Sequence, residues 1–280
     1  MNRRISGWTV ANVTLTHLVL AAAAFTMVVP FLWMISTSLK KPGAVFQIPP
    51  SWVPDPAILD NYLRAFRVMP FGRFFLNSAI VASCVTLLQL ITCSLAAYAF
   101  ARLRFPGRDL LFLVYLGTLM IPNQVTIIPN FILMRLLGWV DTYQGLIVPQ
   151  AFSAFGTFLL RQFFLTIPQE LEDAARIDGC SYLHILWRII LPLSKPALVA
   201  LAIFTFLGQW NNFLWPLIMT YQVEMSTLTV GLRALQGQYN TAWTLLMAGS
   251  VISLLPVLVM YVFGQKYFVR GVTLTGIGGR

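Results

Sequence analysis

Six stretches of this chain, residues 17–39, 74–101, 110–128, 143–164, 197–220 and 243–263, are almost continuously apolar. Each approaches the ~20 residues that a helix needs to cross a bilayer. In hydrocarbon every backbone N–H and C=O must be satisfied inside the segment, which an α-helix achieves alone. The expected fold is therefore all-α, with six transmembrane helices. Composition agrees: 58% of the 280 residues are hydrophobic and 10% charged, against about 25% charged in ordinary globular domains. The run at 17–39 follows Arg3 and Arg4 but exceeds the 7–15 apolar residues of a cleaved signal, so it is read as an uncleaved first span.

With the N-terminus inside, 12 of the 19 Lys and Arg residues fall in inner segments and 7 in outer ones, five of those seven in the longest loop, 40–73. The positive-inside rule then places both termini in the cytoplasm. The same scatter of single basic residues argues against nucleic acid as a partner despite a net charge of +10. The loop motif FQIPPSWVPDP reads as an ordered or interfacial segment rather than a linker, so residues 1–280 form a single membrane domain.

Prolines 30, 122, 149, 216 and 256 lie in or beside five of the six runs. Each releases a carbonyl that a neighbouring helix or a water-filled cavity must satisfy, so packing kinks and cavity lining both remain open. Neutral amides punctuate the third and fifth runs: Asn123, Gln124, Gln209, Asn211 and Asn212 are candidates for the lining of a translocation path, with Trp210 and Trp215 as possible stacking faces. Interhelical hydrogen bonding is the alternative role for such residues; Asn77 and Gln89 are further, weaker candidates. Catalytic residues and a metal site are not expected, because Cys84, Cys93 and Cys180 lack ligand spacing and His17 and His184 stand alone. The near absence of charge within the runs also counts against a proton-coupled secondary transporter, although a channel or secondary transporter for a small polar solute remains a competing reading.

The chain holds nine acidic residues, and four of them, Glu170, Glu172, Asp173 and Asp178, crowd between the fourth and fifth runs. Helix grammar divides this interval in two. Thr166 and Gln169 fit a capping box, Pro168 suits a first turn, Gly179 suits a left-handed stop, and Ser181 can cap a second helix that ends before Pro192. Leu183, Leu186, Trp187 and Ile190 form an apolar stripe suited to the membrane domain, whereas Ala174, Ala175 and Gly179 offer a small-residue surface to another protein. A merely solvated loop is the simpler alternative.

Asp173-Ala174-Ala175, three residues, Gly179, nine residues, then Ile189-x-Leu191-Pro192 resembles the EAA signature of permease subunits of binding-protein-dependent ABC importers, with Asp173 in place of the family's Glu. The blocks AAYAFARLRFPGR, IPNQVTIIP, AARIDG, WNNFLWPL and VRGVT are similar to its carbohydrate-uptake branch, in particular the smaller maltose-type permease. The resemblance implies a core permease region over 70–265 and a coupling (EAA) loop, 166–192, that docks an ATPase through Glu170, Asp173, Ala174, Ala175, Asp178 and Gly179. It also implies a second homologous permease, two ATPase subunits and an extracytoplasmic solute-binding protein, in the inner membrane of a prokaryote. No cofactor is expected on this chain, with ATP and Mg carried by the ATPase: Lys40, Lys41, Lys195 and Lys266 all lack a preceding Gly, so no Gly-Lys-Ser/Thr phosphate loop exists. A sugar or sugar derivative is the implied cargo, with glycerol-3-phosphate or a phosphodiester as the alternative.

Overall fold

The computed structural model describes residues 7–237 and 241–275, with side chains over 12–237 and 241–264. Among these residues there is no strand, only an isolated antiparallel bridge between Gln236 and Thr241. The helices run α1 (Gly7–Ser38), α2 (Asp60–Val68), α3 (Phe71–Arg102), α4 (Arg108–Gly117), α5 (Asn123–Leu136), α6 (Tyr143–Ile147), α7 (Ala154–Leu165), α8 (Glu170–Ile177), α9 (Tyr182–Ile185), α10 (Leu191–Leu193), α11 (Lys195–Trp210), α12 (Leu214–Met219), α13 (Leu228–Ala234) and α14 (Trp243–Thr275).

Three helical stretches are each long and apolar enough to cross a membrane: Asn12–Ser38, Phe71–Arg102 and Trp243–Gly264. Two bent pairs raise the number to five if each is one span: Arg108–Met120 with Asn123–Leu136, at 98°, and Tyr182–Leu193 with Lys195–Trp210, at 82°. The runs expected as the third, fourth and fifth spans are thus not single continuous helices. Pro122 explains the first break, since it pushes Ile121 into extended backbone (φ −84°, ψ 115°). Between α6 and α7 a 3-10 turn over Val148–Gln150 contains Pro149, and Ser153 restarts the helix by accepting from Gly156 N at 3.0 Å. The fifth run ends its first helix at Trp210 and resumes at Leu214.

The chain divides into two compact units, residues 1–69 with 232–254 and residues 70–231 with 255–280. In the first, the expected ordered loop after α1 is present. Asn61 Nδ2 donates to the Ser38 and Lys40 carbonyls at 2.9 Å each, satisfying acceptors that the end of α1 leaves open. Trp52 packs edge-on to Trp33, 5.0 Å between centroids. The apolar α1 side chains between Val13 and Phe31 are largely exposed, as a lipid-facing helix requires.

The second unit is organised on α3, against which α7 and α11 pack. One core joins Cys93, Ala97, Tyr98 and Ala101 of α3 to Leu160 and Phe164 of α7, Leu201 of α11, and Ala175, Ile185, Leu186 and Ile190 of the charged interval. Gly156 permits the close approach: a Cβ there would lie 2.9 Å from Cys93 Sγ and 3.0 Å from Leu201 Cδ1. A second core joins Val81 and Val85 to Met134, Leu146, Trp215 and Met219.

Candidate functional site: a bent loop, a buried ion pair and an amide belt

The charged interval folds as a helix, a bend and a second helix. α8 carries Glu170, Glu172 and Asp173 in its first turn, where negative charge is favourable to the helix dipole. It stops at Gly179 in the left-handed conformation, φ +80°, and Ser181 Oγ caps α9 by accepting from His184 N at 3.4 Å. Two expected details differ. Thr166 does not form a capping box; its hydroxyl donates back to the Phe163 carbonyl at 2.7 Å, and α8 starts without a side-chain cap. Nor does Pro192 end the second helix. A π turn over Leu186–Ile190 continues into α10, with the Leu191 N–H donating to the Leu186 carbonyl, and the chain bends at Ser194, just before Lys195-Pro196.

Of the residues expected to face a partner, Glu170, Asp173, Ala174, Asp178 and Gly179 are exposed, but Ala175 is buried in the α3 core. Ala175 lies three positions after the buried Glu172, on the same face of the helix, and only the packing partner decides which face turns inward. On the second helix Ile185, Leu186 and Ile190 point inward, whereas Leu183 and Trp187 of the expected apolar stripe are exposed.

Sequence reasoning overlooked the residues that hold this loop. Glu172 is buried and meets Arg102, at the end of α3, with Nε 2.9 Å from Oε1; their side chains are 4% and 9% exposed. Tyr98 OH donates to the other carboxylate oxygen at 3.3 Å. Arg102 Nη2 also donates to the carbonyls of Phe164 and Ile167, closing the C-terminal end of α7. Arg161 of α7 returns the contact by donating to the Phe100 carbonyl at 3.2 Å, its guanidinium 4.2 Å from the Phe112 ring centroid. A cavity of about 760 Å³ opens beside the pair, lined among others by Arg104, Arg108, Asp173, Arg176 and Tyr182. The available signal was the first of three Arg residues closing an apolar run and an acid three positions before Ala175 on the same helix, neither of which names the other.

Farther along α3 the polar chemistry is neutral. Gln89 Nε2 donates to the Gln150 carbonyl at 2.7 Å, and Gln89 Oε1 accepts from Thr205 at 2.9 Å. Thr92 donates to the Ala151 carbonyl at 2.7 Å, in the same break between α6 and α7. Gln209 Nε2 reaches Gln150 Oε1 at 3.5 Å, and Asn212 Nδ2 reaches Gln209 Oε1 at 3.4 Å. The structure therefore brings together Gln209 and Asn212, adds Gln89 and Gln150, and leaves Asn123, Gln124 and Asn211 exposed outside this hydrogen-bonded belt. Trp210 and Trp215 are buried and serve packing: Trp210 stacks on Phe206, and Trp215 Nε1 donates to the Gly145 carbonyl at 3.1 Å. Asn77, nearer the start of α3, donates to the Glu224 and Ser226 carbonyls and accepts from Tyr143.

Among the described residues no three His, Cys, Asp or Glu side chains gather as a metal site. The comparison with known families is decisive: the profile described as binding-protein-dependent transport system inner membrane component matches residues 89–274. The chain belongs to this family. As an inner membrane component of this kind, it is 38% identical to the arabinooligosaccharides transport system permease protein AraQ of Halalkalibacterium halodurans over 266 residues, 92% of this chain and 94% of the relative. It is 36% identical to the sn-glycerol-3-phosphate transport system permease protein UgpE of Yersinia pestis over 264 residues, 91% and 94% of the two chains. Among solved structures it resembles a chain of a bacterial ABC transporter involved in the import of the acidic polysaccharide alginate, with TM-score 0.82 and 26% identity over 96% of this chain and 99% of that one. The family match takes in the amide belt and both helices of the bent loop.

Proposed function

We propose that this inner membrane component is the permease subunit of an ATP-driven sugar importer, forming half of the translocation path and coupled to a separate ATPase through α8. The observation that carries the coupling role is the division of α8 into two faces. Glu172 and Ala175 are anchored inside, while Glu170, Asp173, Ala174 and Asp178 are presented outward just before a left-handed Gly179. A short helix so held can transmit a push, whereas a solvated loop would not bury an acid against an arginine. The docking set is Glu170, Asp173, Ala174, Asp178 and Gly179, with Ala175 acting inward as the small residue that seats α8.

In this reading six spans cross the membrane, the bent segments completing the third, fourth and fifth, with both termini cytoplasmic. A second homologous permease completes the path, a solute-binding protein delivers cargo from outside, and a pair of ATPase subunits holds ATP and Mg; this chain is not itself an enzyme. The path is assigned to the end of α11 that carries Gln209 and to Asn212 in the break just beyond it, with Asn123, Gln124 and Asn211 as exposed polar positions. The belt consists of amides and hydroxyls, suited to the hydroxyls of a neutral sugar. Likeness to UgpE supports glycerol-3-phosphate as the second reading of the cargo.

Capture of the tagged chain from its native cell in mild detergent, with mass spectrometry of retained proteins and small molecules, tests the reading. Expected are an ATPase with a phosphate-binding loop, a second permease, and a sugar on the binding protein; recovery of a glycerol phosphate would change the cargo. Gly179→Pro should leave the chain in the membrane yet lose the ATPase, because Pro cannot adopt positive φ. Undiminished ATPase capture by that variant would remove α8 as the joint.

A further inference from the structure

Resting on the coupling role assigned to α8, we propose that Arg102 and Glu172 are positioning residues that lock α8 to α3 and α7, so that a displacement of the docking loop enters the membrane domain through those two helices.

Two routes lead away from α8, and their directness differs. Along the chain, α8 reaches α11 only through the Gly179 turn and the 82° bend at Ser194. The Gly179 turn itself is held by local backbone hydrogen bonds, from Gly179 N–H to the Arg176 carbonyl and from Cys180 N–H to the Ala175 carbonyl, at 2.9 Å each. Across the fold, α8 reaches α3 in one step, through the Arg102–Glu172 pair and the Tyr98 hydroxyl. Arg102 simultaneously holds the Phe164 and Ile167 carbonyls, and Arg161 holds the Phe100 carbonyl in return, so the ends of α3 and α7 are cross-braced by charged donors. Charge-assisted hydrogen bonds are roughly twice as strong as neutral ones and directional. Removing a partner from water makes them costly to break, since each would leave a buried charge alone. The apolar contacts add to this seat: Ala175, Ile185 and Ile190 pack into one core with Ala97 and Tyr98 of α3 and Leu160 of α7, a core that also takes in Ala197 and Leu201 of α11. The loop is thus seated on α3 and α7 by both charge and packing.

The test is a distance measured in the captured complex. Cys84, Cys93 and Cys180 are replaced by Ala, and spin labels are attached through Leu95→Cys on α3 and Ile177→Cys on α8, both exposed positions. Pulsed electron resonance then compares nucleotide-free complex with complex trapped by ATP and vanadate. A lock predicts one narrow distance, unchanged by nucleotide, and a broadened distribution in Glu172→Gln. Arg102→Met/Glu172→Leu leaves no unpaired buried charge, so it should keep membrane abundance while losing the narrow distance. A nucleotide-dependent shift in the unsubstituted pair, or a distribution unaltered in both variants, overturns the lock. If no ATPase accompanies the chain, the coupling reading fails by itself; the nucleotide-free comparison of the variants then still decides whether the lock exists.

Discussion

At its Arg102 end α3 is held by a buried ion pair, whereas at Gln89, thirteen residues or about 20 Å away along the helix axis, it is held by neutral amides and hydroxyls alone. Both regions solve the same problem, the pairing of carbonyls released where neighbouring helices stop. Arg102 serves the end of α7 and the turn after it; Gln89 and Thr92 serve the break around Gln150 and Ala151. The choice of chemistry follows from distance to water. A charge placed deep in a span costs several kcal/mol, while the Arg102 end borders a cavity lined by Arg104, Arg108 and Asp173. The ionic anchor, though itself buried, lies beside a cavity lined by further charged side chains, and the amides lie about 20 Å along the helix from it.

That contrast can be broken at either end. Glu172→Leu strands Arg102 and should cost the most, about 3–5 kcal/mol, read as a large loss of monodisperse protein on heating in detergent. If Glu172→Leu proves no worse than an amide substitution, the pair is already solvated and the contrast is false. Gln89→Leu leaves the Gln150 carbonyl and the Thr205 hydroxyl without their partner and should cost about 1–3 kcal/mol in the same assay. Ser181→Ala removes only the cap of α9 and should cost about 1 kcal/mol, with transport more affected than heat resistance if the bend matters to coupling. A larger loss than for Glu172→Leu would invert the order.

Much of the loop was legible because its signals are local. Gly179 and Ser181 announce a stop and a start whatever surrounds them, and the structure has both. Thr166 and Gln169 announced a capping box with equal clarity, yet Thr166 remains helical and its hydroxyl turns back to Phe163. The difference is that Arg102 already holds the neighbouring Phe164 and Ile167 carbonyls from another helix, fixing the turn that a cap would have shaped. Ala175 was misplaced for a related reason: small residues suit a partner's surface and a tight interior equally well.

The sequence by itself determined that this chain is helical, apolar over most of its length, and punctuated by prolines, because hydrocarbon admits few other ways to satisfy a backbone. It also marked the acidic interval and its glycine bend, whose chemistry is complete within a few residues. Only the tertiary structure decided that Arg102 belongs to Glu172, that Gln89 belongs to Gln150 and Thr205, and that α8 rests on α3. Those partners lie tens of residues apart in the chain, and a side chain's spacing along its own helix states which face it occupies but not which helix that face will meet.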